Sequence, residues 1–149
     1  MPSMEGGGVE KNIILISNYL SKYIDETTLI TFDTKFKKKF RKNIKILYVK
    51  NKSKDNYSKY FKYFFCLFIL LKEVFKSKNI LVFSFQANIY CILLSIFFNF
   101  KLIVRSNSSP SGWTKNIIKN FLFKLSFKIP LSIIVNSKKF KKEIDKKFK

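Results

Sequence analysis

The sequence predicts an α/β fold, a parallel sheet covered by helices on both faces, and two observations carry that expectation. First, five short runs rich in β-branched and aromatic residues, at 27–32, 45–49, 80–83, 101–105 and 131–135, alternate with longer stretches whose apolar residues recur every three or four positions. Strands separated by helices pair in parallel, through right-handed crossovers. Second, polar clusters at 6–8, 84–88, 105–109 and 136–137 fall where strand ends are expected. Ligands of such sheets bind outside the carboxyl ends of the strands, so one binding cleft is expected there.

Taken in order, Val9, Ile13, Ile16 and Leu20 recur at helical spacing after three glycines, giving a helix that ends near Lys22. Residues 27–32 form a strand closing on Asp33. The polar segment 33–43 carries Lys35, Lys37, Lys38, Lys39, Arg41 and Lys42 and reads as a basic loop. Residues 45–49 form a short second strand, and 50–58 a polar, basic connection. The stretch 60–76 is apolar nearly all round, with Lys59, Lys62, Glu73 and Lys76 on one narrow face, as expected of a helix that is buried or dips into a membrane. A third strand at 80–83 leads into Ser84-Phe85-Gln86-Ala87-Asn88, where Asn88 is placed to cap a helix at 89–98. The strand 101–105 breaks into a loop of turn formers over 106–112. Trp113, Ile117, Phe121 and Leu125 mark one helical face. After the last strand, Ser137 caps a basic helix striped with Phe140, Ile144 and Phe148.

With 149 residues the chain is long enough for one domain with a real core, and 47% hydrophobic residues exclude a disordered chain. Thirty Lys and Arg against nine acids give a net charge of +21, which attracts anionic partners. The abundance of Lys, Asn, Ile, Phe and Tyr with only two arginines also fits a codon bias. Cys66 and Cys91 lie inside apolar runs without CxxC spacing, as buried thiols of a reducing compartment do. The absence of histidine excludes Ser-His and Cys-His catalytic pairs and the usual histidine-containing zinc sites, and no metal is expected. The first ten residues are glycine-rich and acidic rather than basic then apolar, unlike a secretory leader.

The turn Pro2-Ser3-Met4-Glu5-Gly6-Gly7-Gly8-Val9-Glu10, with Asn12-Ile13-Ile14-Leu15-Ile16 after it, resembles the Gly-Gly-(Ala/Val)-Glu turn and first helix of family-4 retaining glycosyltransferases. Phe83-Ser84-Phe85-Gln86-Ala87-Asn88 is similar to that family's strand end before a capped helix. Lys101-Leu102-Ile103-Val104-Arg105-Ser106-Asn107 with Pro110 looks like its Ser-Glu-Arg-Asn-x-Pro loop, and Leu131 to Ser137 like the strand that closes its N-terminal domain. The resemblance spans nearly the whole chain and implies the N-terminal, acceptor-side half of a GT-B fold, Rossmann-like in its sheet. The strand expected before the glycine turn is missing, and the chain stops where the linker to a nucleotide-sugar domain would begin. A truncated half-enzyme, inactive alone, is the expectation.

That resemblance implies a nucleotide sugar as donor substrate rather than a bound cofactor, a glycan or lipid-linked acceptor of cell-envelope synthesis, and a cytoplasmic location. The basic, aromatic surface suits peripheral attachment to an anionic inner leaflet. Gly7, Gly8, Arg105 and Asn107 are the expected substrate- and phosphate-binding residues. Gln86, Asn88 and Ser137 are expected to line the cleft, and no catalytic residue is assigned. A glycine turn before a helix lets a phosphate approach free N–H groups, although the same glycines also suit a plain tight turn. Arg105 equally suits a surface ion pair, Asn107 a turn, and Asn136 with Ser137 a cap. A rival reading is an integral membrane protein, since 79–104 holds only Lys101 as a charge and a span needs about 20 residues. A nucleic-acid binder would rest on net charge alone, and no nucleic-acid partner is expected.

Overall fold

Every apolar run expected to be a strand is one, and every amphipathic stretch is a helix, in a computed structural model that describes residues 7–32, 35–49, 57–77, 79–107 and 116–148, without the side chains of 117–119, 147 and 148. The fold is α/β and Rossmann-like: parallel strands flanked by helices. The chain divides into two compact units, the first ending at Phe75 and the second beginning at Lys76. Strands pair within the units, as a two-stranded and a three-stranded sheet, where one continuous sheet was the expectation.

In the first unit α1 (Gly8–Leu20) is followed by β1 (Thr27–Ile30), which pairs in parallel with β2 (Ile44–Leu47), Thr27 opposite Ile44. Ile13, Leu29, Phe32, Phe40 and Ile44 are buried, with Cys66 and Leu70 from α2 (Lys59–Lys76). The basic segment between the strands is more than a loop, because Lys37–Lys39 form one turn of 3-10 helix. Buried Phe40 pins that segment, and Asn18 of α1 clasps it from both ends of its amide. Its Nδ2 donates to the Lys39 carbonyl (2.8 Å) and its Oδ1 accepts from the Arg41 N–H (2.9 Å). The six-lysine-and-arginine cluster is thus held on a defined scaffold while its charges stay exposed.

Of the face that its sequence marks as polar, helix α2 keeps Lys59 and Lys76 exposed and turns Lys62 and Glu73 partly inward. Glu73 is half-buried and pairs with Lys45 of β2 at 3.3 Å, and Lys62 lies over the Phe32 ring at 5.7 Å. Exposed to solvent instead are Phe61, Phe64, Phe68 and Phe75, with Tyr60 beside them. These recur every three to four residues and so form an aromatic stripe along the helix.

In the second unit β3 (Leu81–Ser84), β4 (Lys101–Ser106) and β5 (Ser132–Val135) lie side by side in parallel, with β4 in the centre. Helices α3 (Asn88–Phe98), α4 (Ile117–Ser126) and α5 (Lys138–Phe148) connect and follow them. The core is built on β4, whose Leu102 and Val104 are fully enclosed, together with Phe85, Cys91, Ile92, Phe100, Phe127 and Ile144. Asn99 closes α3 in the left-handed region at φ 48°, a conformation its short polar side chain tolerates. On α4 the marked residues Phe121 and Leu125 are exposed, while Phe123 meets buried Phe127 edge-on at 6.5 Å. The run 79–104 is divided among β3, α3 and β4, and no helix among the described residues is long and apolar enough to cross a membrane.

Candidate functional site

The ends of β3, β4 and β5 bring together most of the residues expected to act. Register decides which way each points. Ser84 pairs with Val104, and Arg105 with Ile134, so alternation sends Ser84 and Ser106 to one face of the sheet and Arg105 to the other. On that second face the Arg105 guanidinium stacks over the Phe85 ring, 5.5 Å from its centroid, and one nitrogen, Nη2, donates to Oδ1 of Asn136 at 2.8 Å. Phe83 continues the aromatic floor, 4.6 Å from Phe85.

Arg105 is only 6% exposed and has no carboxylate partner among the described residues. The sequence explains why: in the second unit the acids are Glu143 and Asp145, both on α5. Burial pushes the guanidinium below its ordinary value, and it stays a cation at neutral pH. Its other terminal nitrogen, Nη1, is buried with no hydrogen-bond partner. A buried cation stacked on a ring, with one donor left over and no counter-ion among the described residues, is the electrostatic form of an anion site.

The tip of the sheet is stitched by two side-chain amides. Asn88 was expected to cap α3; it is instead the first residue of that helix, behind Ala87, and its Nδ2 donates to the Arg105 carbonyl at 2.8 Å. The capping rule is local, and a longer-range bond to the neighbouring strand end wins over it. Asn107 in turn donates from Nδ2 to the Phe85 carbonyl at 2.7 Å. The Oδ1 atoms of both amides are buried and without a partner, as is Ser84 Oγ on the opposite face. Gln86 is half-buried at the turn between β3 and α3.

Ser137 is exposed, and its Oγ accepts from the Phe140 N–H at 3.2 Å, the N-cap expected of it. Gly7 and Gly8 belong to the first unit, where Gly7 is the N-cap of α1 in extended backbone and makes no side-chain cap. A Cβ on Gly8 would meet nothing within 4 Å, whereas one on Gly7 would stand 3.0 Å from Oε2 of Glu10. Glu10 is buried in the first turn of the helix, so a carboxylate already sits at this N-terminus. Gly6, Pro110, Gly112 and Trp113 lie outside the described residues.

Two partners of Arg105 escaped the sequence reading. Nothing local ties it to Asn136, thirty-one residues on, or singles out Phe85 as the ring beneath it; the common face of a parallel register is the signal that would have found both. Among the described residues no group of three or more Cys, Asp and Glu could hold a metal ion. The arrangement can bind and orient an anion. No family model and no curated protein matches the sequence.

Proposed function

We propose that the chain is the N-terminal, acceptor-side domain of a retaining GT-B glycosyltransferase, part of an enzyme that moves a sugar from a nucleotide donor to a glycan or lipid-linked acceptor. One observation carries the reading: a buried arginine without a counter-ion at the carboxyl ends of parallel strands, in the type of sheet that binds ligands there. In this role Arg105 meets a phosphate or an acidic group of the substrate, Asn107 holds the turn beside it, and Gln86 and Asn88 border the cleft. Gly7 and Gly8 allow a phosphate close to the backbone before α1. In this reading the reaction needs a second domain to bring the nucleotide sugar.

The test is sugar transfer by the chain fused to the nucleotide-sugar domain of a GT-B enzyme, with labelled donors and a panel of glycan acceptors. Transfer that is lost in Arg105→Ala while the circular dichroism is kept is expected. A fusion that still binds the donor yet shows no transfer dependent on Arg105 would overturn the reading, and so would transfer by the unfused chain.

A peripheral place on an anionic membrane is supported by a separate observation, the aromatic stripe of α2. Phe64 is 64% and Phe75 73% exposed, and Lys72 lies over the exposed Phe68 ring at 4.5 Å. Rings flanked by lysines suit the boundary between head groups and acyl chains. Flotation of the protein with acidic and neutral vesicles checks it, the absence of binding to both being the outcome against it.

A further inference from the structure

We infer that the ligand of the second unit's site is a polyhydroxylated anion, a sugar bearing a carboxylate or a phosphate, whose charge meets Arg105 and whose hydroxyl groups donate to Asn88 and Asn107. The inference rests on the transferase reading only in naming that ligand the acceptor; its chemistry comes from three buried atoms. Nδ2 of Asn88 and Nδ2 of Asn107 each donate to a backbone carbonyl, of Arg105 and Phe85 respectively. A carbonyl oxygen can only accept, so neither amide can be turned over without losing that bond and setting two oxygens against each other. The two Oδ1 atoms are therefore fixed as acceptors, and both are buried without a donor. Arg105 Nη1 is the opposite case, a charged donor buried without an acceptor.

These opposite needs narrow the chemistry. Inorganic phosphate would satisfy Arg105 but brings only one or two hydroxyl donors, held within one small tetrahedron, to amide oxygens that belong to two separate strand ends. A neutral sugar would donate to the amide oxygens but leave the cation unneutralised. One small molecule with both an anionic group and hydroxyl donors meets all three. Asn88 and Asn107 come after β3 and β4, adjacent hydrogen-bonded strands about 4.8 Å apart. Helix α3 adds an N-terminus with no side-chain cap and no acid in its first turn, and its first residue, Asn88, is bonded to Arg105 itself.

Calorimetric titration of the full chain with glucuronic acid, glucose 6-phosphate, glucose and inorganic phosphate tests the inference. At least one charged sugar is expected to bind at least about tenfold tighter than both glucose and inorganic phosphate, and the better of the two charged sugars tells a carboxylate ligand from a phosphate. Arg105→Gln should bring the charged sugars to the level of glucose. Asn88→Ala should weaken the charged sugars about tenfold while leaving inorganic phosphate unchanged, a selective loss that general loosening of the fold does not produce. Inorganic phosphate binding as tightly as glucose 6-phosphate and glucuronic acid would overturn the inference, as would glucose binding equally well, or no heat from any of the four. Binding of charged sugars with no transfer by the fused enzyme would sink the transferase reading alone. Transfer without discrimination among these four probes would sink the ligand class alone.

Discussion

Arg105→Met separates a binding cation from a scaffold one, because the two roles predict opposite stability changes. Taking a charge out of water costs several kcal/mol even after relaxation. Set against that, the charged hydrogen bond to Asn136 contributes about 1.5–3 kcal/mol and the stacking on Phe85 about 1–2 kcal/mol. The offsets roughly equal the penalty, so Arg105 contributes close to nothing to folding. Methionine keeps the length of the stem and the contact with the Phe85 ring, and removes the charge and the orphaned Nη1. Asn136 is exposed and finds water, and the bond from Asn88 goes to the Arg105 backbone carbonyl, which survives the substitution.

The expected result of Arg105→Met is therefore a stability change between zero and a gain of about 2 kcal/mol, in line with apolar replacement of buried charges. For a chain of this length that is a rise in melting temperature of up to about 8 °C. Differential scanning calorimetry reads it, and titration with glucose 6-phosphate, run beside it, should show binding lost. A melting temperature lowered by about 6 °C or more, with sugar-anion binding intact, would refute the argument and make Arg105 part of the scaffold.

Three further outcomes follow from the same structure. Binding to acidic vesicles should fall when Phe64 and Phe68 are both changed to Ser, and should collapse with salt; binding unchanged at about 1 M salt, where screening acts within about 3 Å, would point to insertion without electrostatic attraction. Burial raises the Cys66 thiol above its ordinary value of 9.0, so the folded state holds its proton more tightly than the unfolded chain does: the stability this gives is complete below pH 9 and is lost as pH rises through the raised value. Cys66→Val should remove that alkaline component from a urea titration, and an unchanged pH profile would discount it. In the fused two-domain enzyme Gly8→Val should weaken nucleotide-sugar use about tenfold, about 1.4 kcal/mol of transition-state binding, with little change in melting temperature because a Cβ there meets open space; unaltered kcat/KM would leave the turn as a helix start and nothing more.

The order and type of the elements were legible because each depends on a period within one segment. What periodicity cannot show is which side of an amphipathic element the rest of the chain covers. Helix α2 illustrates it: Lys62 and Glu73 look like its wet face, yet Glu73 turns toward Lys45 of β2 and the phenylalanines face solvent. At α4 the same ambiguity hid that Phe127, just after the helix, enters the core while Phe121 and Leu125 stay exposed. At the site, the strand-end position of Arg105 and Asn107 was readable, since turn formers punctuate the strands. The partners were not, because Asn136 and Phe85 reach Arg105 only through the register of three strands. Asn88 was readable as a polar residue at a helix start, but the local rule assigned it to the helix rather than to the strand next to it.

The two glycines and the lone buried arginine were equal candidates for meeting an anion, and electrostatics separates them. A helix N-terminus attracts an anion through its unsatisfied N–H groups and its dipole, and both effects fade within the first turn. At α1 that turn holds Glu10, whose carboxylate oxygen lies 3.0 Å from where a Cβ on Gly7 would stand, so an incoming phosphate must share the site with a negative charge. At α3 the first turn holds no acid and no side-chain cap, and the neighbouring strand end adds a full positive charge with no acid partner among the described residues. Glycine permits approach, but it supplies no attraction of its own. The anion is therefore drawn first to the second unit, and the glycine turn binds one of its own only where Glu10 is displaced far enough to relieve the repulsion there. Glu10→Gln accordingly strengthens phosphate binding if the turn takes part and leaves it unchanged if Arg105 acts alone.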